Sequence, residues 1–159
     1  MPKLNWARLK PVWRYAQVFI KLLLRRPLSA VTVIPILSDG SIVLVKRQDT
    51  GQWSLPGGLI DWGETVAITA ARELQEETGL RLIKIDRLLG VYSSPDRDPR
   101  MHSVTISLVV KAQGNLLIGD RHEVSEVKAF AVEDLPLGAL SHDHDQQLQD
   151  FLRGETIIA

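Results

Sequence analysis

The sequence predicts an α/β sandwich built as a single compact domain. Two β-rich runs joined by a turn come first, a long helical run with matched start and stop signals follows, and further β-rich runs precede a last helix. Strands and helices in mixed order, with long connections between consecutive strands, are what such a fold requires. A chain of 159 residues with 45% apolar content is long enough to bury one core. Pattern alone leaves the strand order open.

Ser29 to Leu37 clusters Val31, Val33, Ile34 and Ile36, Ser38-Asp39-Gly40 supplies turn chemistry, and Ser41 to Arg47 resumes with Ile42 to Val45, which together read as a hairpin. Gln48 to Ser54 reads as a polar loop, and Leu55-Pro56-Gly57-Gly58 cannot continue a helix. From Thr65 to Thr78 good helix formers place Val66, Ala70 and Leu74 on one face, with Thr65 as N-cap and Gly79 as the left-handed stop. Arg81 to Tyr92 and Ser103 to Lys111 are predicted strands around a polar loop, Ser93 to Met101. Glu126 to Val132 is a further strand, Asp134-Leu135-Pro136 a turn, and His144 to Arg153 a terminal helix. His142, Asp143 and His144 are assigned to helix capping and surface solvation.

The first 28 residues stand apart from residues 29–159. Val12 to Leu24 is apolar but interrupted by Arg14, Gln17 and Lys21, too short and too charged to span a bilayer, and no small-residue cleavage site follows it. A basic amphipathic helix is expected there, packed on its own domain or on a second copy in a homodimer, or resting weakly on an anionic membrane surface.

The net charge of zero conceals an asymmetry. The first 26 residues hold seven basic and no acidic residues, which leaves twelve basic against nineteen acidic beyond them. A slightly acidic main region argues against a broad nucleic-acid surface. Absence of cysteine excludes disulfides, thiolate metal sites and a thiol nucleophile, and fits a cytoplasmic protein. Chemistry here must run on carboxylates, imidazoles or hydroxyls.

On the central helix Glu73 and Glu77 stand four apart on one face, with Glu76 on its flank. Like charges at this spacing destabilise a bare helix, and a divalent cation reverses that sign. Hard oxygen donors suit magnesium or manganese, and those ions in turn suit phosphate esters or anhydrides. Arg72 can orient one of the carboxylates. Most charge runs on helices are nothing more than a solvated face, and the helix by itself leaves both readings open.

The preceding segment separates them. Gly58, Glu64, Arg72, Glu73, Glu76, Glu77 and Gly79, with apolar Leu74 and Leu80, resemble the Nudix box Gly-x5-Glu-x7-Arg-Glu-U-x-Glu-Glu-x-Gly-U at every defined position. A chance match of this kind arises on the order of once in 10⁹ starting positions. Gln52 to Gly57, Val127 to Phe130 and Glu133 to Pro136 also look like that family. The resemblance implies a Nudix-type α/β/α sandwich with a mixed central sheet, to which the N-terminal helix is an addition.

The same resemblance implies hydrolysis of a pyrophosphate bond in a nucleoside-diphosphate derivative. Glu73, Glu76 and Glu77, with the carbonyl of Gly57, would ligate magnesium or manganese, Arg72 would orient the glutamates, and Glu64 would support the loop and helix start. The general base would be a box glutamate or one on a later segment, Glu123 or Glu126. Ser94 to His102 resembles the Asp-Pro-x-Arg-Asp-Pro-Arg-Gly-His loop of ADP-ribose pyrophosphatase-like members, with Ser94 in place of the first aspartate and Met101 in place of glycine. Arg97 and Arg100 would then reach phosphate or ribose, and Trp53 is a candidate for stacking on a base. ADP-ribose, yielding AMP and ribose 5-phosphate, is the first substrate expected. A nucleoside triphosphate pyrophosphatase that clears damaged nucleotides is a second reading, and a ligand sensor of weak turnover on the same fold is a third.

Overall fold

The computed structural model describes residues 26–98 and 101–159. The N-terminal extension expected over residues 1–28 lies outside the described residues up to position 25, and Leu28 already belongs to the first strand; Arg100 is also outside the described residues. One eight-stranded sheet is formed by β1 (Leu28–Ile36), β2 (Ile42–Arg47), β3 (Trp53–Ser54), β4 (Gly57–Leu59), β5 (Arg81–Tyr92), β6 (Ser103–Gln113), β7 (Val124–Phe130) and β8 (Ile157–Ile158). Among the described residues two α-helices accompany it, α1 (Val66–Thr78) and α2 (His144–Leu152). The sheet is mixed: β1 runs parallel to β6 and β5 to β8, and the other pairs are antiparallel.

Alternation along the strands separates two cores. Val31 and Val33 of β1, Val43 of β2 and Leu108 and Val110 of β6 pack with Ala70 and Leu74 of α1. Ile34, Ile42, Leu44 and Val109 face the other way and pack with Leu148 of α2. Both faces of β1 and β2 are therefore covered, which is why their sequences read as near-continuous apolar runs.

The hairpin of β1 and β2 is joined at its tip, where Ile36 is opposite Ile42. Beyond that point β1 pairs with β4 through Ala30 to Thr32, and β2 pairs with β3 through Val45 and Lys46. The outer edges are already taken by β6 and β7, so β3 and β4 fill a fork between the diverging strands. This fork was not expected: Gln48 to Ser54 ends in a strand, and Gly57-Gly58 pairs by backbone alone despite poor strand propensity. β8 and a 3-10 turn at Pro95–Arg97 were likewise unanticipated. The strand expected over Glu126 to Val132 starts at Val124 and gives way to a 3-10 turn at Val132–Asp134.

Candidate active site

Helix α1 delivers the glutamates. The Thr65 hydroxyl accepts the Ile68 N–H at the start, and Gly79 closes the end in the left-handed region at φ 74°, its N–H donating to Gln75 O. Glu77 is 7% exposed, the Glu73 carboxylate is largely covered, and Glu76 is half exposed. Strand β4 lies against them: the Gly57 N–H donates to Glu77 Oε2 at 2.9 Å. A Cβ on Gly58 would stand 2.3 Å from Glu73 Oε1, and one on Gly57 would stand 2.2 Å from the Val31 carbonyl oxygen.

Burial raises the Glu77 carboxyl pKa to about 8; the charges of Glu73 and Glu123 add to the rise, and the Gly57 N–H opposes it. Burial also raises Glu73, with Arg72 partly offsetting it. Arg72 is held by a two-pronged pair with Glu64, Nε to Oε1 and Nη2 to Oε2, both 2.9 Å, and its Nη1 reaches Glu73 Oε1 at 2.8 Å and Glu76 Oε2 at 3.2 Å. The Thr69 hydroxyl also donates to Glu64, and these two partners hold the Glu64 carboxyl down to about 2. Glu64 is thus a permanently charged anchor for the arginine that spans the other two glutamates.

A cleft of about 570 Å³ opens over this wall, and Gly57, Arg72, Glu73, Glu76 and Glu77 line it. Glu123 lines it too, carried on a loop tied to the end of α1: the Gly119 and Asp120 N–H groups both donate to Glu76 O. The two later glutamates are thereby distinguished, because Glu126 is on β7, outside the cleft lining, and pairs with Lys46 at 3.5 Å. Gly58→Ala tests the contact between β4 and Glu73. The flexible carboxylate must yield to the new methyl group, so activity should fall about 10–100-fold while the melting temperature changes little. Wild-type turnover in that variant would show that the Glu73 position is unimportant.

Three expectations need correction. Trp53 does not line the cleft; its ring packs edge-on against Phe130, centroids 5.0 Å apart, with Lys46 over it. Arg97 does stand at the cleft wall, but its guanidinium is committed. Nε and Nη2 clasp Asp143 at 2.9 Å each, and Nη1 donates to Tyr92 O, Ser103 Oγ and Thr105 Oγ1. It braces the Ser93–Asp98 loop against α2.

The third correction concerns the start of α2. Asp143 makes no capping bond with its side chain, and His144 is buried rather than solvated. Gln147, also buried, accepts the Thr32 hydroxyl at 2.7 Å and donates to Asp143 at 3.2 Å. His144 Nδ1 lies 3.0 Å from both the Leu55 N–H and the Ser54 hydroxyl, and burial lowers its pKa to about 3. Two histidines flanking an aspartate were the available signal, but spacing gives no clue to partners so far away in sequence.

The NUDIX domain model matches residues 26–151. An ADP-ribose pyrophosphatase of Methanocaldococcus jannaschii is 42% identical over 129 residues, covering 78% of this chain and 73% of the relative. A putative 8-oxo-dGTP diphosphatase of Bacillus subtilis is 33% identical over 122 residues, 77% of this chain and 78% of the relative. Among solved structures, the NUDIX domain of Shewanella oneidensis NrtR in complex with ADP ribose superposes with a TM-score of 0.73 at 26% identity, covering 87% of this chain and 97% of that one. With the box residues gathered on one wall of a cleft and this extent of similarity, the chain belongs to the Nudix hydrolase family.

Proposed function

We propose that the chain hydrolyses ADP-ribose to AMP and ribose 5-phosphate, using magnesium, with manganese able to replace it. The observation that carries this reading is the 42% identity to a protein named ADP-ribose pyrophosphatase. The acidic wall supports it chemically. Among the described residues no three histidine or carboxylate side chains already stand together as a set that could hold a metal ion, so the glutamates would have to gather around one as it binds. What the wall offers is an open row of hard oxygens whose mutual repulsion and burial call for a cation. Such a row fits magnesium, which keeps waters and substrate phosphate oxygens among its ligands.

Gly57, Glu73, Glu76 and Glu77 would hold the cation, with Arg72 and Glu64 setting their orientation. When bound, the cation neutralises the diphosphate and stabilises charge on the transferring phosphoryl group. Glu123, which lines the same cleft, takes the proton of the attacking water; Glu126, outside the cleft lining, is the less suited of the two. Water adds across the anhydride, its oxygen to one phosphorus, and the other phosphate leaves with the bridging oxygen.

The test is incubation of the full chain with magnesium and ADP-ribose, related dinucleotides, and normal or oxidised nucleoside triphosphates. AMP and ribose 5-phosphate, absent without divalent metal, is the expected result. Pyrophosphate released from a triphosphate would replace this reading with the nucleotide-clearing one, and no turnover on any compound would favour a sensor.

A further inference from the structure

Leu55, Pro56 and Gly57 cross the fork between β1 and β2, and their polar groups tie three parts of the fold together. The Leu55 N–H points to His144 Nδ1 at the start of α2, at 3.0 Å. The Pro56 carbonyl accepts the Val33 N–H of β1 at 2.9 Å. The Gly57 N–H, two residues on, points to Glu77 Oε2 of α1, at 2.9 Å. Proline between them has no N–H of its own. A backbone N–H can only donate, so His144 Nδ1 is the bare acceptor nitrogen and the ring proton sits on Nε2. Gly57 has no room for a side chain, because a Cβ there would run into the Val31 carbonyl oxygen.

We infer that His144 is a positioning residue for Glu77. Its imidazole fixes the Leu55–Gly57 turn from one side of the sheet, and the turn fixes the carboxylate on the other. This rests on the reading of Glu77 as a metal ligand. His144 borders the cleft but is buried, and it acts on Glu77 through two backbone N–H groups.

His144→Leu removes the acceptor and leaves the Leu55 N–H buried without a partner, whereas His144→Asn puts an amide oxygen close to the position of Nδ1. Three quantities are to be measured on the full-length chain: Mn2+ affinity by calorimetry without substrate, kcat and KM for ADP-ribose, and melting temperature. The leucine variant should bind Mn2+ about 10–100-fold more weakly and lose kcat on a similar scale. KM should change less than kcat, since the loss acts through the placement of Glu77. The asparagine variant should recover most of both losses. A leucine variant that folds and matches the wild type in Mn2+ affinity and kcat overturns the inference, whatever its melting temperature. A wild-type chain that binds no Mn2+ overturns the metal reading of Glu77 and this inference with it.

If the leucine variant does not fold, the unsubstituted chain labelled with 15N-histidine decides. Coupling between two sites is reciprocal, so the His144 Nδ1 resonance must move as Mg2+ is added. A resonance unmoved at saturating Mg2+ overturns the inference.

Discussion

Glu77→Gln is expected to abolish turnover and, in metal-free buffer, to raise the melting temperature. The loss should be on the order of 10³-fold in kcat/KM, about 4 kcal/mol of transition-state stabilisation. The gain follows from the carboxyl pKa, which folding raises from 4.5 to about 8 through burial. Between those values the unfolded chain is ionised and the folded one holds a proton. Stability is then fully present below pH 4.5 and is lost as pH rises toward 8. At pH 7 the penalty approaches about 3 kcal/mol, and a neutral amide of the same shape avoids it. Melting curves in a chelator should therefore fall with pH for the wild type and stay flatter for Glu77→Gln. Added Mg2+ should restore the wild type alone. A wild-type curve indifferent to pH would mean that the carboxylate is not strained by its surroundings.

Asp143→Ala should destabilise the fold by about 3–5 kcal/mol, because it strands the Arg97 guanidinium, whose side chain is 7% exposed. Asp143→Asn keeps one acceptor toward the guanidinium and should lose less. Urea unfolding measures both. Loosening the Ser93–Asp98 loop should also raise KM for the substrate, as that loop borders the cleft through Arg97 and Asp98. An Asp143→Ala chain within about 1 kcal/mol of the wild type would place this pair among ordinary surface ion pairs.

Local rules explain what was legible. The bounds of α1 follow from Thr65 and Gly79, whose cap chemistry acts within four residues, and the two-sided burial of β1 follows from its unbroken apolar run. The glutamate wall was legible because helical spacing and the box pattern agreed. What was hidden depends on partners distant in the chain. Arg97 and Asp143 are 46 residues apart, and Leu55 and His144 are 89 apart. An arginine in a polar loop reads as a phosphate contact until its acceptors are known. Trp53 near a turn is more often packed than free to stack on a base, and the Phe130 ring against its edge agrees with packing. Glu123 and Glu126 differ by three positions in sequence, and only the fold shows that the first lines the cleft while the second pairs with Lys46 on β2.

Placing Glu73, Glu76 and Glu77 in the last turns of α1 has an electrostatic consequence beyond their side-chain repulsion. The carbonyl end of a helix carries roughly half a negative charge, and cations are the favoured residues there. This helix has no basic residue in its last turn. The N–H groups of Leu117, Gly119 and Asp120 meet the Thr78 and Glu76 carbonyls and quiet part of that field. The remainder adds to the carboxylates, so the peptide dipoles themselves draw a cation toward the cleft.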